Sequence, residues 1–483
     1  MQNLYSKLIE LSESGQYPFH MPGHKRKIES TPLKGAFRCD ITEIDDFDNL
    51  HDEEGIILKA EERANRLYGA YRTYFCVNGS TAGVLAAVSA AVKKGGTILA
   101  ARGSHKSFYH AAFLRELDIK YLPDKSDDEL KIPGTYTQED VENFFDEKVE
   151  AVFITSPTYE GRCSDIEGIA NACHKRGIPL IVDSAHGAHF GFGKKYDKDG
   201  EYDSVPENTI SLGADIVIHS VHKTLPSMTQ TSLIHISENE ELADKVKKYL
   251  RIYQTSSPSY VLMSSIDLCM QEMEENGDGY IEALLDYRNR ISGKTRSLKN
   301  IVIPSRETID DPAKVVICDS SGTMTGKQIY GILREEYNLQ LEMAGDKIAL
   351  AILSGWDTTE GIDRLIEAVS ELDEKIQKTK INTGTSVNDP ICKKGLTEYP
   401  HVIMKLSEAW DRPTEETLLK EAKGKVAGDF INLYPPGIPL IVPGEEFSEE
   451  LIQDICGYIE EDLNVQGVIS EPRGTGFYVR TIK

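Results

Sequence analysis

No cysteines stand at metal-binding or redox spacing in this chain. The eight cysteines (Cys39, Cys76, Cys163, Cys173, Cys269, Cys318, Cys392, Cys456) are scattered and form no CxxC pair. A zinc site and a disulfide scaffold are therefore disfavoured, and reduced thiols in a cytoplasm are the expectation. Also missing is any run of roughly 20 apolar residues, the length that spans a bilayer. The opening MQNLYSKLIELSESG lacks the apolar core of a secretory leader. Basic residues are in short supply, with 54 Lys and Arg against 78 Asp and Glu and a net charge of -24. Phosphate binding needs a basic face, so neither nucleic acid nor a membrane is expected as a partner. An acidic surface steers cationic solutes instead. Internal repeats and low-complexity tracts are absent as well.

What is present suits a multidomain enzyme. The 483 residues, 40% hydrophobic, suffice for two or three domains. Residues 1–50 read as an irregular arm rich in His, Pro, Gly and Asp, followed by helical pattern from about His51 to Leu67. From Tyr74 apolar runs alternate with amphipathic stretches. Thr97–Ala101, Ala151–Thr155, Leu180–Asp183, Ile216–His219 and Ser232–Ile236 read as strands; Ser80–Lys93, Gln138–Phe145 and Ile166–Arg176 read as helices between them. That alternation predicts an α/β domain over residues 51–295 with a mainly parallel sheet covered on both faces. Its end is helical, from about Gln254. A small α/β domain (296–377) follows, with strands near Val315–Cys318 and Ile348–Ile352. The polar stretch 378–390 reads as a linker, and residues 391–483 as a C-terminal α+β domain around Tyr434–Pro443.

Three features fall at strand ends or helix starts, where open α/β sheets bind ligands. Gly79, Ser80 and Thr81 precede a helix; a glycine and free N–H groups there suit a phosphate, although Ser and Thr also cap ordinary helices. Asp183 ends an apolar run and could pair with a buried cation such as a pyridinium nitrogen, or simply cap a helix. Lys223, in Ser220-Val221-His222-Lys223, follows another apolar run; burial would make its amine a nucleophile, whereas most lysines are only solvated.

Together, their order resembles fold-type-I pyridoxal-phosphate enzymes. More closely, PFHMPGHKR (18–26), NGSTAG (78–83), SHKS (104–107), SPTYEG (156–161), DSAHGAHFGF (183–192), SVHKTLPSMTQTS (220–232) and YPPGIPLIVPGE (434–445) resemble the Orn/Lys/Arg decarboxylase family. The resemblance covers almost the whole chain. It implies an aspartate-aminotransferase-like large domain and pyridoxal 5'-phosphate as cofactor. It implies Lys223 as the Schiff-base lysine, Asp183 on the ring nitrogen, His105 and Ala185 on the two ring faces, and His186 at the cofactor. Gly79, Ser80, Thr81, Ser220 and His222 would hold the phosphate, with Ser257 reaching it across a dimer interface. Glu445 is the candidate for the distal cation of the substrate, and the Asp45–Asp48 run a weaker one. His24 and Lys25 are expected at the entrance or the dimer contact.

The expected reaction is decarboxylation of lysine, arginine or ornithine to a polyamine precursor, with a lean to lysine, in a homodimer whose active sites form at the interface. Compared with longer family members the chain lacks an N-terminal receiver-like segment. Arg162 and Lys27 stand where smaller residues are expected, and a cation in the substrate channel would repel a basic substrate. Alternatives are an aminotransferase, lyase or cyclase acting on a basic or modified amino acid, and a non-catalytic cofactor-binding regulator. A metal site on His186 and His189 lacks a third ligand at recognisable spacing.

Overall fold

The computed structural model describes residues 2–26, 32–123, 125, 130, 132–193, 202–383, 399–434, 437–471 and 476–483. Lys27 lies outside them. The N-terminal segment carries α1 (Leu4–Glu13) and α2 (Lys34–Cys39), and α3 (Ile56–Tyr68) leads into the large sheet. Then come β1 (Arg72–Cys76), α4 (Gly79–Ala91), β2 (Thr97–Ala101), α5 (Lys106–Leu114), β3 (Asp118–Leu122), α6 (Gln138–Glu142), β4 (Val149–Thr155), α7 (Ile166–Lys175), β5 (Leu180–Asp183), β6 (Ile216–His219), α8 (Val221–Thr224), β7 (Ser232–Ile236), α9 (Glu240–Tyr253) and α10 (Tyr260–Thr295).

The seven strands run in the order β1-β7-β6-β5-β4-β2-β3. Only β7 is antiparallel to its neighbours. Strands β2, β5 and β6 are buried along their whole length, as helices on both faces of a parallel sheet require. Alternate residues enter different cores: Leu99, Val182 and Val217 one, Ile98, Ile181, Ile216 and Ile218 the other. Seven of the thirteen residues of α4 are buried, and a Cβ on Gly83 would sit 3.1 Å from Ile218 of β6. That close approach aligns the start of α4 with the carboxyl ends of β5 and β6.

A four-stranded sheet follows, of β8 (Ile301–Val302), β9 (Lys314–Asp319), β10 (Met343–Ala344) and β11 (Ile348–Ile352), with α11 (Gly326–Tyr337) and α12 (Thr359–Thr383). The C-terminal part holds α13 (Leu406–Ala409), β12 (Thr414–Leu418), β13 (Ile431–Leu433), β14 (Ile438–Ile441), α14 (Glu449–Glu460), β15 (Val465–Gln466), β16 (Ile469–Ser470) and β17 (Phe477–Ile482) in two small sheets.

Two expectations change. The first fifty residues are not all irregular: Leu4, Leu8 and Leu11 form a buried stripe on α1, which Asn3 caps and which packs on α10. Helix α12 continues to Thr383, into the stretch read as a linker, whose residues 384–390 lie outside the described ones. No helix among the described residues is long and apolar enough to cross a membrane.

Candidate active site

The carboxyl ends of β4, β5 and β6 and the start of α4 open onto one cavity of about 470 Å³. Gly79, Ser80, Thr81, His105, Asp183, Ala185, His186, Ser220, His222 and Lys223 all line it. Residues some 140 positions apart in sequence thus share one wall. Gly79 has a φ of 75°, so its backbone rather than a lack of space calls for glycine.

Asp183 closes β5 and is buried, its Oδ1 accepting the Ala185 N–H at 3.2 Å. Burial pushes its carboxyl up, while the charge of Lys223 pulls it back. The Ser220 N–H donates to the Ala185 carbonyl at 3.3 Å, tying the turn that carries Lys223 to the loop after Asp183. Lys223 sits in the single-turn α8. Burial lowers its pKa, with Asp183 and Glu342 opposing. Its Nζ lies 2.9 Å from Nε2 of His186.

His105 caps α5 through Nδ1, which accepts from the Ser107 N–H at 3.2 Å. Burial, then Lys223, push its pKa down to about 4, so its ring is neutral and suited to stacking. His222 donates from Nδ1 to the Thr231 carbonyl at 2.8 Å. The hydroxyls of Ser220 and Thr155 are buried at the cavity without a partner among the described residues. Buried hydroxyls normally bond something, so these point to a polar ligand.

One expected residue lies elsewhere. Glu445 does not line the cavity: its Oε2 accepts from Arg102 at 3.0 Å and from the Val442 N–H at 2.8 Å. Ser257, expected to act across a dimer interface, is exposed in the loop before α10 and does not line the cavity of its own chain; Ser259 caps that helix. Arg162 is half-buried outside the cavity lining, with its charge acting on Glu160 and Asp310. In the acidic run, Asp48 accepts backbone N–H groups of Asn49, Glu54, Gly55 and Ile57 at the start of α3. His24 pairs with Asp40 at 3.0 Å.

Two residues escaped sequence reading as site members. Glu342, just before β10, lines the cavity and accepts the Tyr159 hydroxyl. Asp183 and Glu342 are the carboxylates among the lining residues. Lys314, the first residue of β9, is fully buried with Nζ 2.8 Å from Nδ1 of His186. His189 instead pairs with Asp311 at 2.9 Å. Nothing in the sequence marks Glu342 or Lys314 as meeting residues 120 or more positions earlier.

Residues 2–377 match the family model described as Orn/Lys/Arg decarboxylase, major domain, and residues 391–481 its C-terminal domain. The chain is 30% identical to an arginine decarboxylase of Bacillus subtilis over 480 residues, covering 96% of this chain and 95% of that protein. It is 23% identical to a lysine decarboxylase of Pseudomonas aeruginosa, covering 94% and 75%. The solved structure of lysine decarboxylase A from Pseudomonas aeruginosa superposes with a TM-score of 0.80 at 22% identity, covering 100% of this chain and 80% of that one. The fold is thus that of fold-type-I pyridoxal-phosphate enzymes.

Proposed function

The chain belongs to the Orn/Lys/Arg decarboxylase family, and we propose that it removes the α-carboxylate of a basic amino acid using pyridoxal phosphate held on Lys223. The observation that carries this reading is the convergence of Lys223, Asp183 and the start of α4 on one cavity. The residues present fit the cofactor. The start of α4 offers backbone N–H groups and the partial positive charge of a helix N-terminus to a phosphate. Ser80, Thr81 and the unpartnered hydroxyl of Ser220 supply further donors. Asp183, buried beside Lys223, suits a cationic ring nitrogen.

When bound, the cofactor supplies an electron sink for the pair released as carbon dioxide leaves. The chain's own residues do the rest. Asp183 would hold a proton on the cofactor's ring nitrogen, His105 and Ala185 would hold its ring, and Lys223 Nζ would be the amine that carries it. Glu342 takes the distal cation of the substrate, in place of Glu445, because it lines the cavity and Glu445 does not. The product is an amine of the polyamine-precursor type.

Carbon dioxide release from lysine, arginine and ornithine tests the reading. Release with at least one of the three is expected; none above background refutes it. The reading includes a cytoplasmic homodimer. Tyr17, Phe19 and Met21 are 68%, 89% and 67% exposed in the N-terminal segment, an apolar surface that a second copy would cover. In that dimer Ser257 would reach the partner's phosphate.

A further inference from the structure

The start of α4 is uncapped by its own N-cap residue. Asn78 stands in that position, but its side chain makes no cap bond to the helix; its Oδ1 accepts the Thr255 N–H at 3.3 Å instead. The first N–H groups of a helix have no partner within it, and a capping side chain normally takes one of them. Here the Gly79 N–H donates to the backbone carbonyl of Gln230 at 3.0 Å. The Gln230 side chain returns to the same segment, its Nε2 donating to the Val77 carbonyl at 2.6 Å. The Val77 N–H in turn donates to Oε1 of Gln254 at 2.8 Å. Gln230 therefore grips the turn from β1 into α4 by two bonds, one before Asn78 and one after it.

Gln230 is itself fixed from the other side. Its φ is 83°, in the left-handed region that a residue with a side chain rarely adopts. Such a conformation persists where the surroundings over-determine it. The Met228 N–H donates to the Ser265 hydroxyl of α10 at 2.7 Å. The Thr231 N–H and hydroxyl both donate to the Met228 carbonyl, at 3.2 and 2.7 Å. The Thr231 carbonyl accepts from Nδ1 of His222, the neighbour of Lys223, at 2.8 Å. The turn over residues 227–231 thus ties the start of α4 to the turn that carries Lys223, and Gln230 lines the cavity with Gly79 and Lys223.

We propose that Gln230 is a positioning residue that sets the start of α4 for the phosphate of the cofactor. Its carbonyl takes the Gly79 N–H and its amide holds Val77, which fixes the direction of the first helical turn. The N–H groups beyond Gly79, with no side-chain cap from Asn78, then face the phosphate together with the hydroxyls of Ser80 and Thr81. Glutamine suits the place because the Val77 carbonyl needs an N–H from the side chain; an ionised glutamate has none and would bring a negative charge beside the phosphate. The inference rests on the reading of the start of α4 as the phosphate site.

The test uses the full-length chain freed of cofactor. Equilibrium dialysis against pyridoxal 5'-phosphate and, separately, against pyridoxal, which lacks the phosphate, gives a Kd for each. Q230M keeps the length of the side chain and removes the donor to Val77. Its Kd for pyridoxal 5'-phosphate is expected to rise roughly 3- to 10-fold, the effect of one lost hydrogen bond, while its Kd for pyridoxal stays at the wild-type value. Q230G tolerates the positive φ and keeps the carbonyl for Gly79, so it decides the question if Q230M does not fold; the same selective rise is expected of it. An unchanged Kd for pyridoxal 5'-phosphate, or an equal rise for both compounds, in the variant that folds overturns the proposal, because a role in general stability would move both alike. A wild-type chain that binds the two compounds equally well would refute the reading of α4 as the phosphate site, on which the inference rests.

Discussion

Arg102 and Glu445 form an ion pair at 3.0 Å in which the side chains are 4% and 2% exposed. The same guanidinium donates to the Tyr109 hydroxyl and the Pro439 carbonyl, each at 2.9 Å. It thereby clamps the C-terminal segment that brings Tyr434 and Ile438 to the cavity. Removing one partner of a buried pair leaves an uncompensated charge, which costs about 3–5 kcal/mol. E445A is therefore expected to lower thermal stability strongly, as read by a calorimetric melt. An unchanged melt with a raised KM would return Glu445 to substrate binding.

Glu342 gives the opposite expectation. Its carboxylate is exposed in the cavity and tied to the Tyr159 hydroxyl. A hydrogen bond to a charged group contributes roughly 1.5–3 kcal/mol, so E342Q should raise KM for the preferred basic amino acid about 10- to 100-fold. Melting should stay near wild type. Steady-state kinetics with an unaltered KM would remove Glu342 from substrate recognition.

Asp48 makes stability depend on acid. Burial pushes its carboxyl up, but four backbone N–H donors outweigh burial and hold it below the ordinary aspartate range. A folded-state pKa below the unfolded value, near 3.9, gives stability that is fully present above that value. It is lost as pH falls through the folded pKa. D48N is expected to destabilise the chain at pH 7 and to flatten the acid limb of a stability–pH curve. Parallel acid limbs in the two chains would contradict this.

The legible parts of the molecule were those written in local pattern. Leu180–Asp183, Ile216–His219 and Ser232–Ile236 are short, mostly apolar segments, and the structure forms strands over those same residues. Because the carboxyl ends of the parallel β5 and β6 align, the motifs that follow them gathered into one cavity. Helix α1 was overlooked because it spans only ten residues before a Pro- and Gly-rich arm, though its leucines at positions 4, 8 and 11 follow helical spacing. Glu342 and Lys314 were not legible for another reason. Their place depends on how the small sheet docks on the loops after β4 and β5, which no local pattern encodes. Glu445 misled because a carboxylate in a distinctive motif was read as facing substrate. The cation it meets, Arg102, lies 343 residues away in the same chain.

The proposed chemistry depends above all on Lys223 being the amine that bonds pyridoxal phosphate. The direct measurement is borohydride reduction of the cofactor-loaded chain, followed by peptide mass spectrometry. The expected result is one pyridoxyl adduct, on the peptide that contains Lys223, and its loss together with the visible absorbance of the bound cofactor in K223A. An adduct on Lys314 or elsewhere, or absorbance retained in K223A, would contradict that assignment.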